Sequence, residues 1–305
     1  MKRLIGMTCI VVGVLLAIVT FGQSLFSLDF GRGKNDAGDV QEHALENIDR
    51  LDIDVSSSHV YVTSADIDHL RLELKKADDS RKTMHTQEQG DELQISVQGP
   101  KFQILPLDWL TQLISGKMPQ TEELYVTIPD DFDQAIRLDS SSGTINMAGL
   151  QGLSELDIDV SSGSVVIEEI MTEKFRYDGS SGRLTVQGLN AHESEIAISS
   201  GKVILNDISG EIQGESSSGS VEINVASLEE SIEWQASSGS ITLRLPHEAS
   251  FELSASTSSG SIDSDFPMMV QSQSKRELNG VVGEGGVPID LKVSSGKIKI
   301  EQNNR

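Results

Sequence analysis

The tripeptide Ser-Ser-Gly recurs eight times, with its glycine at Gly143, Gly163, Gly182, Gly201, Gly219, Gly239, Gly260 and Gly296. The first seven glycines lie 20, 19, 19, 18, 20 and 21 residues apart, and the last gap is 36. A β-branched residue follows two positions after nearly every one: Ile145, Val165, Val203, Val221, Ile241, Ile262 and Ile298, with Leu184 the exception. A repeat this short cannot bury its apolar residues alone. It must bury them against its neighbours, so the fixed period predicts stacked coils. The expected fold class is all-β: a β-solenoid, a β-helix-like stack of coils.

The same tripeptide explains the corner of each coil. Glycine accepts positive φ without steric cost, and its missing Cβ lets successive corners approach closely. Serine hydroxyls bond the corner's own backbone or the serine of the next coil. Short alternating stretches flank the corners. Leu156–Val160 and Ser231–Ala236 read as strands before a corner, and Val165–Glu168 and Ile241–Leu245 as strands after one. A second turn carries Gly149, Gly188 or Asn206-Asp207. The pattern starts earlier, at Leu51-Asp52-Ile53-Asp54-Val55, where Ser56-Ser57-Ser58-His59 holds the place of a corner without glycine. The string LDIDVSS at Leu51–Ser57 recurs at Leu156–Ser162. Leu70–Lys75 and Glu92–Val97 are further strands, joined by a charged, hairpin-like loop over Lys76–Gly90.

The N-terminus, residues 1–28, has a different character. Lys2 and Arg3 precede Leu4–Phe21, 18 residues without a charge. That length spans a bilayer as a helix, and basic residues before it place the N-terminus in the cytoplasm. The alternative of a cleaved signal peptide lacks an A-x-A-like site. The expected localisation is the cell membrane, single-pass, with the rest of the chain extracytoplasmic. Residues 29–44, polar and glycine-rich, read as a flexible linker, and residues 45–305 as the solenoid domain. Cys9, the only cysteine, lies within the apolar run, so the exported part has no disulfides.

One insertion breaks the rhythm. In residues 101–120, Leu107, Leu110, Leu113 and Ile114 fall at helical spacing between Pro106 and Gly116. A short amphipathic helix is expected there, capping the coils, with Trp109, Leu110 and Leu113 as possible contacts for a partner.

Three features resemble a bacterial family of candidate adhesins of otherwise unknown function, found in envelope proteins. They are the Ser-Ser-Gly-x-[Ile/Val] repeat, the unit running from Val126-Thr127-Ile128-Pro129 to Gly143, and a closing motif. That motif reads Asn279-Gly280-x-x-Gly283-x-Gly285-Gly286-x-Pro288-Ile289, then Ser294-Ser295-Gly296-x-Ile298. With the anchor in front, the chain is similar to the LiaG-type membrane-anchored proteins of bacilli. That resemblance implies a β-solenoid-like fold and a link to cell-envelope stress, and it supplies no catalytic residues.

The net charge of −23 argues against nucleic acid and anionic lipid headgroups as partners. Catalytic motifs do not survive their context: Ser199-Ser200-Gly201-Lys202 spells S-x-x-K, but at a strand corner rather than a helix start. The six histidines show no metal-ligand spacing. We therefore expect no enzymatic activity, no cofactor and no metal site, and an adhesin-like interaction or scaffold protein whose envelope or cell-wall partner is unknown. Two other readings rest on aspartates that stacking would align: Asp52, Asp54, Asp139, Asp157, Asp159 and Asp178. An acidic column could hold Ca²⁺ for cation-dependent adhesion. Paired carboxylates near Trp234 could cleave a polysaccharide, as on other β-helices.

Overall fold

The computed structural model describes residues 39–76, 80, 82–99 and 121–303. Among them are thirteen strands and no helix. In chain order these are β1 (Asp39–His43), β2 (Arg50–Ala65), β3 (Leu70–Lys75), β4 (Thr83–Gln89), β5 (Glu92–Gln98), β6 (Glu123–Pro129) and β7 (Ala135–Ala148). Then come β8 (Leu153–Val225), β9 (Ile232–Leu245), β10 (Phe251–Ser264), β11 (Met269–Gln273), β12 (Glu277–Val282) and β13 (Val287–Gln302). β8 is one extended run that bends at four Ser-Ser-Gly corners.

Corners pair in register and in parallel. Gly143 stands opposite Gly163, Gly219 opposite Gly239, and Gly296 opposite both Gly239 and Gly260. Each coil therefore has one limb before the corner and one after it, and both turn alternate residues inward. Leu51, Ile136 and Leu156 form an inward column before the corner. Val60, Ile145 and Val165 form one after it, continued by Leu184, Val203 and Val221, and all are buried. Leu150, Ile170, Leu189 and Ile208 supply a further buried row beyond the second turn. Burying each such side chain contributes about 1.5–3 kcal/mol, and the column repeats that contribution coil after coil.

Spatial order departs from chain order at both ends. At the first, β5 and β6 flank the residue 99–122 segment and pair with the two limbs of β2, on the side away from β7. The inserted segment thus joins strands that a corner would otherwise join. At the other end, β13 lies between β9 and β10, although β10 precedes it in the chain. Antiparallel strands cover the flanks: β4 lies on β5, β3 and β1 on β6, and β12 and β11 on the first limb of β10. Thr86 of β4 donates to Gln41 of β1 at 2.8 Å, tying two edges together.

Two stretches expected to be irregular contain strands. The last residues of the expected 29–44 linker form β1, and the expected loop Lys76–Gly90 contains β4. Both are edge strands with one inward apolar face at most, such as Met84, so their alternation is faint. No helix among the described residues is long and apolar enough to cross a membrane. The apolar run Leu4–Phe21, and the expected contacts Trp109, Leu110 and Leu113, lie outside the described residues.

Candidate binding faces

The corner stack sets the geometry of the surface. A Cβ placed on Gly201 would lie 1.9 Å from the carbonyl oxygen of Gly182, and Gly201 has φ of +143°. Each corner is thus pressed against the backbone of its neighbour. Ser58 heads the stack, pairs with Gly143, and is fully buried. Lys82 covers this end: its ammonium binds the Ser57 carbonyl, lies 3.0 Å from Ser57 Oγ, and pairs with Glu122 at 2.8 Å. Ser80 also donates to Glu122, at 2.5 Å. Burial pushes the Glu122 carboxyl up, but the bonds from Lys82 and Ser80 outweigh it and hold the group below its usual value.

Outward residues of the first limbs form two charged columns. Asp54, Asp139 and Asp159 align by strand pairing, and the Gly163–Gly182 contact brings Asp178 into the same column. The neighbouring column alternates in sign: Asp52, Arg137, Asp157, then Arg176 and Glu195. Arg137 bonds Asp139 at 2.9 Å and lies 3.6 Å from Asp157, while Arg176 Nε donates to Glu195 at 2.8 Å. Charge in this second column is largely compensated. Within the aspartate column, it is Asp139 that shares the Arg137 guanidinium. Partial burial pushes the carboxyls of Asp52, Asp157 and Asp159 up, and for Asp159 the charges of Asp139 and Asp178 add to it. Among the described residues no three His, Cys, Asp or Glu side chains converge as a metal-binding group.

The limbs after the corner carry a different face. Tyr61 and Tyr125 stack with centroids 4.9 Å apart and planes within 14°. Lys75 covers the Tyr125 ring at 4.1 Å, so that ring already has neighbours on both faces. Half-buried Val166 and Ile204 point outward on the same limbs.

Trp234 is not on the surface. It is fully buried, donates Nε1–H to Ser216 Oγ at 3.3 Å, and lies across Gly214 on the adjacent coil. A Cβ on Gly214 would sit 2.1 Å from the indole. Tyr177 is buried in the same way beside Gly179, and burial pushes its phenol up to about 12. The polysaccharide-cleaving reading needs Trp234 beside paired carboxylates; the indole instead fills the core. Sequence reasoning missed this because the space it occupies belongs to a glycine one coil earlier. It also missed the Lys82–Glu122 pair, which no motif spells.

These features define an all-β, solenoid-like domain with patterned outward faces. The chain belongs to the Toastrack DUF4097 family, whose model matches residues 48–301. A candidate adhesin from Bacteroides fragilis shares the fold at TM-score 0.53 and 14% identity, over 88% of this chain and 100% of that one. Weaker likenesses link it to a candidate adhesin from Parabacteroides distasonis (TM-score 0.37, 14% identity, 90% and 98% covered). A third is a candidate cell adhesion protein from Clostridium sporogenes (TM-score 0.30, 10% identity, 87% and 98% covered). No curated protein is significantly similar in sequence.

Proposed function

We propose that this chain is a non-enzymatic, adhesin-like interaction module of the cell envelope, anchored by Leu4–Phe21 with residues 45–305 outside the membrane. It presents the first-limb face to a basic protein or wall component. The observation that carries this reading is the Asp54–Asp139–Asp159–Asp178 column, beside a second column whose charges are largely paired. A column of carboxylates at the strand spacing, about 4.8 Å, attracts a polycation by summed Coulomb terms that salt screens. The family resemblance supports a role in the response to envelope stress, which predicts higher expression under cell-wall-active antibiotics.

The test is retention of envelope proteins by the immobilised chain and by a variant with Asp54, Asp159 and Asp178 changed to Asn. A partner held at low salt, and lost both at high salt and with the variant, is the expected result. Equal retention by the two chains would overturn the reading. A rise in unfolding temperature with excess Ca²⁺, abolished in the variant, would replace it with cation-dependent adhesion.

A further inference from the structure

Beyond Asp178 the aspartate column ends and the surface sinks. The same column continues with Ala197, Glu215, Gln235, Lys292 and Ser256. Ala197 has no side chain beyond Cβ, so it leaves a dip between the coils of Asp178 and Glu215. Two adjoining hollows, of about 530 and 370 Å³, share Asp178, Ala197, Glu215 and Gln235. The larger follows the stack past the first serine of five successive corners: Ser199, Ser217, Ser237, Ser294 and Ser258. Stacked strands bring those serines to a spacing of about 4.8 Å.

Two core-facing positions along this groove are hydroxyls. Ser216 and Thr257 stand in the inward column that holds Val160, Ile198 and Val293 in other coils. Ser216 accepts the indole hydrogen bond, which leaves its own proton to give. Thr257 also lines the groove but is only 6% exposed, and its Oγ1, closed off from solvent, has no hydrogen-bond partner. A buried hydroxyl left unpaired is destabilising, where a valine of the same shape would not be.

We propose that this groove binds a glycan chain, uncharged or amino-substituted, lying along the stack axis. A sugar offers donors and acceptors together, which is what a row of serine hydroxyls, the Gln235 amide and the Asp178 and Glu215 carboxylates can satisfy. A linear polymer meets the repeated hydroxyls with its own repeat. Asp178, Glu195, Glu215 and Glu233 outnumber Arg176 and Lys292 along the two hollows, so the lining disfavours phosphate and uronate polymers. With Trp234 and Tyr177 turned into the core, no ring of either offers a stacking platform, so binding depends on many hydrogen bonds in series. This goes beyond the proposed acidic face: the site lies on later coils and shares only Asp178 with that face, and Ala197→Phe leaves the aspartate column intact, so either can fail without the other.

The test is calorimetry on the full-length chain in a zwitterionic, sugar-free detergent, with tetra-N-acetylchitotetraose, cellotetraose and tetragalacturonate as probes. At least one uncharged tetrasaccharide is expected to bind, and tetragalacturonate is not. Ala197→Phe fills the hollow and should weaken binding about tenfold or more. Gln235→Ala removes an exposed amide shared by both hollows and should weaken it by a smaller factor without loss of thermal stability. Asn146→Phe, on the limb after the corner, should leave it unchanged. Should Ala197→Phe fail to fold, Gln235→Ala and Asn146→Phe decide: equal affinity in Gln235→Ala and the natural chain would overturn the proposal. No heat with either uncharged probe, tighter binding of tetragalacturonate, or natural affinity in folded Ala197→Phe would overturn the proposal.

Discussion

The carbonyl oxygen of Ser58 lies 2.2 Å from the point that a Cβ on Gly143 would occupy. Ser58 carries the first corner position and keeps its side chain; Gly143, stacked on it, has no room for one. The contact repeats through the stack and is closest at Gly260, 1.6 Å from the Gly296 oxygen. The asymmetry follows from direction. Each corner's Cβ position points at the previous corner, and Ser58 has none before it among the described residues.

Gly201→Ala should therefore cost more than about 3 kcal/mol, because strain at φ of +143° adds to the backbone clash. Ser58→Gly should cost no more than about 1 kcal/mol, mostly through unfolded-chain entropy. Urea denaturation followed by circular dichroism measures both. Similar costs for the two would contradict the stacking argument.

Gly214 and Trp234 form a size-matched pair across neighbouring coils. Gly214→Ala puts a methyl into the indole and should destabilise by about 1–3 kcal/mol. Trp234→Ala should cost about 3–5 kcal/mol by opening a cavity. The double variant Gly214→Ala with Trp234→Ala should be less destabilised than the sum of the two single changes, a coupling that thermal unfolding can read.

Lys82 and Glu122 close the head of the corner stack, with side chains only 16% and 11% exposed. Lys82→Ala leaves a carboxylate and the Ser57 carbonyl without their cation, and should cost about 1–3 kcal/mol, between exposed and fully buried pairs. Glu122 is held below its ordinary value of 4.5. Its contribution is therefore complete above that pH and is lost as pH falls through the lower native value. Stability against pH should show this acid loss in the natural chain and lack it in Glu122→Gln.

Asp159 shows the opposite sign. Burial, then the charges of Asp139 and Asp178, raise its carboxyl above the ordinary value of 3.8. The folded chain holds that proton more tightly than the unfolded one, so ionising Asp159 weakens the fold as pH rises through the native value. Asp159→Asn should raise the unfolding temperature by roughly 1–3 °C at neutral pH, with the gain fading as pH falls through the raised native value and absent below pH 3.8. A gain that persisted at low pH would point to packing rather than charge.

Part of the surface is legible in the sequence alone. Counting four residues back from each of the first three corner glycines gives Asp139, Asp159 and Asp178, and Asp54 stands four before Ser58. Strands β1 and β4 are not legible there, because Val40 and Met84 are too few to show alternation against polar neighbours. Trp234 misleads for a related reason. An isolated aromatic among polar residues looks like a platform until its coil is laid on Gly214, which alone among the inward residues of that column makes space for an indole.

By itself the sequence determined the period, the limbs and the corner, since each depends on a few adjacent residues: a glycine, the serines before it and a β-branched residue after. Only the tertiary structure decided which coils are neighbours. Every Ser-Ser-Gly corner fits every other equally well, so the repeat carries no instruction about order. The order at the far end goes with β12, which pairs with the outer edge of β10 over Phe251–Ser256 with β11 beyond it, and leaves the inner edge of β10 to β13. That placement sets Lys292 and Ser294 between Gln235 and Ser256, and so makes the groove a property of the fold rather than of any stretch of chain.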